Sequence, residues 1–174
     1  MKKVVLELKE GDFIVHATHG VGIIQGIDRK KLAGEKHVFY VVKTEKLTYW
    51  LPMMDSKSKR IRSVSAPATF AKALSVIRQK PVLLSNNFRT RIKYIKDEMA
   101  KCSVLANARL IRDMHARNAE KNLHVNEHRT LEKLKNQFAN EWGIAAGNDR
   151  KTAIANLEKA LSISVSKMIA EESD

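Results

Sequence analysis

"VHATHGVGIIQGID" (residues 15–28) decides the fold of the first part of the chain. Its β-branched residues alternate with Gly20, Gly22 and Gly26, the composition of a strand entered through a tight turn rather than of a helix. The glycines are not a phosphate loop, because the G-x-x-x-x-G-K-[ST] spacing is absent and no helical pattern follows them. On either side lie "DFIVH" (12–16), "KHVFYVV" (36–42) and "LTYWL" (47–51), short runs rich in β-branched and aromatic residues. In the second of these Val38, Tyr40 and Val42 fall on one face and Phe39 and Val41 on the other, which predicts a strand covered on both sides. Four or five such strands within about 45 residues make a small, strongly bent antiparallel sheet or barrel.

Beyond Pro52 the pattern changes. "DSKSKRIRSVSAPA" (55–68) is polar, basic and serine-rich and reads as a linker, which sets a domain of residues 1–60 apart from one of residues 61–174. After it the apolar period is helical: Phe70, Leu74 and Ile77, then Phe88, Ile92, Ile95 and Met99, then Val104, Leu105, Ala108, Ile111 and Met114. A fourth helix runs through Leu131, Leu134 and Phe138, with Trp142 one turn on and Gly143 as its stop; a fifth holds Ile154, Leu157, Leu161 and Val165. Pro67 suits the first turn of the first helix and Pro81 ends it. Short connections make neighbours antiparallel, so the fold class is α+β in two domains, with a compact bundle of about five helices at the C-terminal end.

The 174 residues include 32 Lys and Arg against 19 Asp and Glu, a net charge of +13 that favours polyanionic partners, nucleic acid before membrane surface. "MKKVVLELKEGD" (1–12) is too short and too charged for a signal-peptide core, and no run approaches the roughly 18 apolar residues of a membrane span. One cysteine, Cys102, allows no internal disulfide and predicts a reducing, cytosolic location.

The H-x-x-H-G-V-G-x-x-x-G-I run at 16–27, the G-E-x-x-x-x-Y strand at 34–40 and the strand ending in Leu51-Pro52 resemble the polymerase-interacting module of the CarD/CdnL transcription regulators, a module also found in transcription-repair coupling factors. The helical half, from "SNNFRTRIKYIKDEM" (85–99) onward, is similar to that family's helical domain in order and spacing, and no helicase motif follows. The resemblance implies a non-enzymatic, monomeric regulator without small cofactor or metal, associated with the nucleoid through polymerase. Its β domain, similar to a Tudor or SH3-like barrel, would dock on the β-subunit lobe of bacterial RNA polymerase. Its helical domain would contact promoter DNA at the upstream edge of the melted bubble and stabilise the open complex, with little sequence preference.

Residue by residue, the resemblance puts the family's wedge tryptophan on Phe88, which keeps an apolar face for a splayed base pair but lacks the indole N–H. At 100° per residue Arg89, Lys93 and Lys96 line one flank of the Phe88 stripe and Arg91 lies near the other, a row that phosphates could follow. Arg117, His128 and Arg129 match further DNA-facing positions, with a histidine where a lysine is common. Lys30 and Trp50 match polymerase-contacting positions, Trp50 replacing a basic residue, and Leu32 is a candidate apolar contact. Read without the resemblance, Phe88 opens the apolar stripe of a helix, Trp50 is a partly buried sheet residue and the basic residues form a solvated face.

Other constellations are weaker. His16, His19 and His37 have no acidic or cysteine partners at ligand spacing, and His19 is expected to brace the turn before Gly20 through a ring hydrogen bond. Cys102 and His115 lack anything to orient the histidine, so Cys102 reads as a small capping or core residue. Glu120, Glu127 and Glu132 scatter along a surface pattern. The alternative function is a general RNA-binding or ribosome-associated protein, in which the small barrel itself would carry the basic residues.

Overall fold

The computed structural model describes residues 8–172, apart from the side chains of residues 57, 171 and 172. The first seven residues, part of the stretch read as too short for a signal peptide, and the last two lie outside it. The chain separates into two compact units that meet between Val64 and Ser65.

The first unit is an antiparallel sheet of β1 (Phe13–His16), β2 (Gly20–Leu32), β3 (Glu35–Lys43), β4 (Thr48–Pro52) and β5 (Ile61–Ser63), ordered β4-β3-β2-β1-β5. Among the described residues the sheet stays open, with β4 and β5 as its edges. A 3-10 turn at Met53–Lys57 touches β3, β4 and β5. Ile14, Ile24, Tyr40, Val42, Leu51 and Ile61 form the core on one side, joined by Leu8. Gly22 is needed for packing: a Cβ there would lie 2.7 Å from Val42 Cγ1. A register shift between Ile24 and Gly26 bends β2 across β3.

Two expectations change here. The stretch read as a linker holds the end of the 3-10 turn, β5 and the first residues of α1 (Pro67–Ile77), and β5 went unread because a three-residue strand with Ile61 as its one buried apolar residue leaves no period to detect. And β3 is covered on one side only: Tyr40 and Val42 are buried, whereas Phe39 and Val41 on the opposite face remain half-buried.

The second unit comprises α1 (Pro67–Ile77), α2 (Phe88–Ala100), α3 (Val104–Glu120), α4 (Val125–Ala146) and α5 (Arg150–Glu172). Each helix falls where an apolar stripe was expected, although α2 buries a different face from the one its stripe marks. Phe70, Leu110, Ile111, Met114, Leu131, Leu134, Leu157 and Leu161 are fully buried, each worth about 1.5–3 kcal/mol relative to an exposed side chain. Trp142 is half-buried, its ring parallel to Phe70 at 6.1 Å. Gly143 does not end α4; the helix runs one turn further to a left-handed cap at Gly147 (φ 64°), and Gly143 faces Asn148 O, 3.1 Å from where a Cβ would stand. Cys102 is buried between α2 and α3 with φ 48°. No described helix is long and apolar enough to cross a membrane.

Candidate functional site

The outer face of the sheet gathers three of the candidates. Residues directly opposite one another across a ladder share a face, as do alternate residues along a strand. Val41 stands opposite Gly26 and Trp50, Phe39 opposite Asp28 and Pro52, Lys30 opposite His37 and Leu32 opposite Glu35. Lys30, Leu32 and Trp50 therefore lie with Asp28, Phe39 and Val41 on the side away from the core. Trp50 lies in β4 and is 45% exposed, a partly buried sheet residue with much of its ring open to solvent. Its indole Nε1 donates to Asp28 Oδ2 at 2.8 Å, and Lys30 Nζ lies 3.6 Å above its ring centroid and 3.5 Å from the same carboxylate. The Trp50 hydrogen bond, with the Lys30 charge, holds the Asp28 carboxyl below its ordinary value. Leu32 is exposed at the end of the β2–β3 hairpin.

The second group surrounds the start of α2. Asn87 caps the helix, its Oδ1 accepting from Thr90 N at 3.1 Å, and Phe88 is the first helical residue. Phe88 is 50% exposed, and its ring meets the His124 imidazole edge-to-face at 5.3 Å. His124 immediately precedes α4, so the N-terminal ends of two helices meet at this aromatic pair.

Arg91 is the residue that alters the reading of α2. It is 2% exposed, and its guanidinium pairs with both oxygens of Glu127, itself 1% exposed, while Nη1 donates to Ser85 O at 2.7 Å and Asn86 O at 3.2 Å. The buried face of α2 is Arg91, Ile95 and Glu98, rotated away from the stripe that the apolar residues alone define. Arg117 is likewise buried, with Nη1 on Leu84 O and on Asn86 Oδ1, both at 3.2 Å. The expectation of Arg91 and Arg117 as free phosphate contacts is thus corrected: both guanidinium groups are directed into the fold, because carbonyls of the segment 84–86 and the Glu127 carboxylate meet them there. Glu127, read as a surface residue, is the anion of this network. Burial raises its pKa, but the Arg91 hydrogen bond, the His124 backbone N–H at 3.1 Å and the Arg91 charge outweigh that and hold it below its ordinary value.

Arg89, Lys93 and Lys96 are exposed on α2, as expected for a solvated or phosphate-facing row. His128 and Arg129 are exposed on α4 and line an open hollow of about 440 Å³ with Asn118, Asn122, Leu123 and Val125. Leu123 and Val125 flank His124, so the hollow borders the aromatic pair.

Sequence reasoning missed Asp28, Asn86, His124 and Glu127 as parts of these arrangements. The Asn87 cap carried a local signal, but the contacts that define the arrangements, Trp50 to Asp28, Arg117 to Asn86 and Arg91 to Glu127, join residues 22, 31 and 36 positions apart. At the turn before Gly20, His16 Nδ1 accepts from Thr18 N at 3.0 Å and from His19 N at 3.3 Å. The rings of His16, His19 and Tyr49 contact one another in tilted and edge-on pairs, and burial pushes the Tyr49 phenol up to about 12. Among the described residues, no group of three or more His, Cys, Asp or Glu is placed to hold a metal ion.

Residues 8–65 match the family model described as the CarD-like/TRCF RID domain, and residues 72–169 match that of the CarD C-terminal domain. The chain is also similar to a Bacillus subtilis (strain 168) protein named "Putative transcription factor YdeB", 24% identical over 143 residues that cover 81% of this chain and 94% of the relative.

Proposed function

The chain belongs to the CarD family, and from that membership we propose that it regulates transcription by holding RNA polymerase with its sheet unit and promoter DNA with its helical unit. The observation that carries the reading is that the two family domains follow each other along the chain, the first presenting exposed Trp50 and the second exposed Phe88, each on a built mount. The name of the Bacillus subtilis relative agrees with it. Trp50, with Lys30 beside it and Leu32 farther along β2 on the same face, is the contact for the β-subunit lobe of polymerase, since large aromatics dominate interface energetics.

Phe88 is the wedge at the upstream edge of the bubble. Its ring is half-exposed and backed by His124, so it can lie against an opened base step without unfolding α2. Arg89, Lys93, Lys96, Arg129 and, when protonated, His128 neutralise phosphates around it, which makes DNA binding salt-dependent and largely indifferent to sequence. Arg91 and Arg117 serve the wedge from inside, by fixing the segment that carries it. The experiment is a pair of full-length variants assayed with polymerase and promoter DNA. Trp50→Ala is expected to lose co-purification with polymerase; Phe88→Ala is expected to keep it and to lose open-complex stabilisation. Wild-type protein that neither co-purifies with polymerase nor alters open-complex decay overturns the proposal.

A further inference from the structure

We infer that Asp28 is the positioning residue of the sheet face, and that by fixing Trp50 and neutralising Lys30 it makes this face an aromatic contact surface rather than a basic one. The inference rests on the proposed polymerase reading of that face. Three contacts close a triangle: Trp50 Nε1 to Asp28 Oδ2 at 2.8 Å, Lys30 Nζ to the same oxygen at 3.5 Å, and Lys30 Nζ to the Trp50 centroid at 3.6 Å. None of the three is buried, with side chains of Asp28 and Lys30 at 39% and 40% and Trp50 at 45%, so packing alone does not hold the indole. A tryptophan on an edge strand has other rotamers open to it, and the carboxylate selects one.

Two consequences follow from elementary electrostatics. An aromatic already fixed in its bound rotamer loses less entropy on association, so Asp28 raises affinity without touching the partner. And the triangle is charge-neutral, one cation against one anion, so a contact built on it gains little from long-range attraction and weakens little with salt. The ammonium group has three donors and gives one to Asp28, leaving others for an acceptor on the partner. The partner patch that fits is an apolar side chain over Trp50, Phe39 and Val41 with a hydrogen-bond acceptor beside it.

Asp28→Asn and Asp28→Ala separate the two roles, because asparagine keeps an acceptor for the indole and drops the charge, whereas alanine drops both. Binding of full-length protein to the RNA polymerase of its own organism is measured across ionic strength, with Trp50→Ala as reference, and Trp50 emission is read in a Trp142→Phe background without polymerase. Asp28→Ala is expected to red-shift the emission and weaken binding about tenfold, as for loss of one charge-assisted hydrogen bond. Asp28→Asn is expected to bind within about twofold of wild type near physiological salt but to fall more steeply as salt rises, since Lys30 is then uncompensated. If Trp50→Ala binds like wild type, the polymerase reading of this face fails, whatever Asp28 does to the emission. If Trp50→Ala is impaired while Asp28→Ala binds normally with unshifted emission, the positioning role is wrong. An Asp28→Asn salt dependence identical to wild type overturns the neutralisation.

Discussion

Trp50 and Phe88 are exposed to nearly the same extent, 45% and 50%, yet the two units mount them in opposite ways. Trp50 is held from outside, by a carboxylate and an ammonium that are themselves in solvent. Phe88 is held from beneath, by a buried Arg91–Glu127 pair and by Arg117, which together bind the carbonyls of residues 84–86 just before it. The difference lies in what each mount puts at stake. A surface pair contributes little to folding and can be altered without loss of the fold. A buried pair is tied to it, because removal of one partner strands the other charge in a low-dielectric interior.

The largest expected effect tests that contrast from the buried side. Glu127→Ala leaves Arg91 uncompensated and should destabilise the helical unit by about 3–5 kcal/mol in chemical denaturation. Replacing both partners, Arg91→Met with Glu127→Leu, should recover much of that loss; a Glu127→Ala effect below about 1 kcal/mol would show the network to be incidental. The same carboxylate gives a pH signature. Its folded pKa is depressed, so its contribution is present above the unfolded value and is lost as pH falls through the folded one. Stability of wild type should fall as pH drops below about 4.5, and the fall should be shallower in Glu127→Gln.

In the sheet unit the comparable weak point is backbone rather than charge. Gly22→Ala places a methyl 2.7 Å from Val42 Cγ1 and 3.1 Å from Lys43 O, and should lower stability by about 1–3 kcal/mol. At the tip of the β2–β3 hairpin Ala33 has φ 50°, a left-handed conformation that alanine adopts reluctantly. Ala33→Asn should raise the thermal midpoint, with a gain of about 0.5–1 kcal/mol, because asparagine before glycine favours this two-residue turn. A decrease would mean that the tip owes its shape to contacts beyond the turn.

The sequence carried the strands and helices because each is written in local periodicity. Phe70, Leu131 and Leu157 announce their helices, whereas Trp50 and Phe88 became contact candidates through the family resemblance, since periodicity alone put Phe88 on an apolar stripe and Trp50 in the sheet. What remained illegible depends on distant pairing. Arg91 looks like one more cation beside Arg89 and Lys93, and only the approach of Glu127, 36 residues away, turns it inward. Lys30 looks like a free charge until Asp28 and Trp50 close on it. Ile61 looks like linker until β1 pairs with it. A cation's role is set by where the nearest anion lies, and spacing along one helix does not contain that.

The central claim is that Phe88 is a contact residue carried by the core without belonging to it. The measurement that tests it most directly is the decay of promoter open complexes formed with wild type, Phe88→Ala and Phe88→Trp, alongside the unfolding free energy of each protein. The account predicts that Phe88→Ala shortens the lifetime toward that of polymerase alone while stability changes by less than about 1 kcal/mol, and that Phe88→Trp lengthens it. An unchanged lifetime with Phe88→Ala, together with the loss of about 3–5 kcal/mol expected for a truncated core phenylalanine, would contradict it.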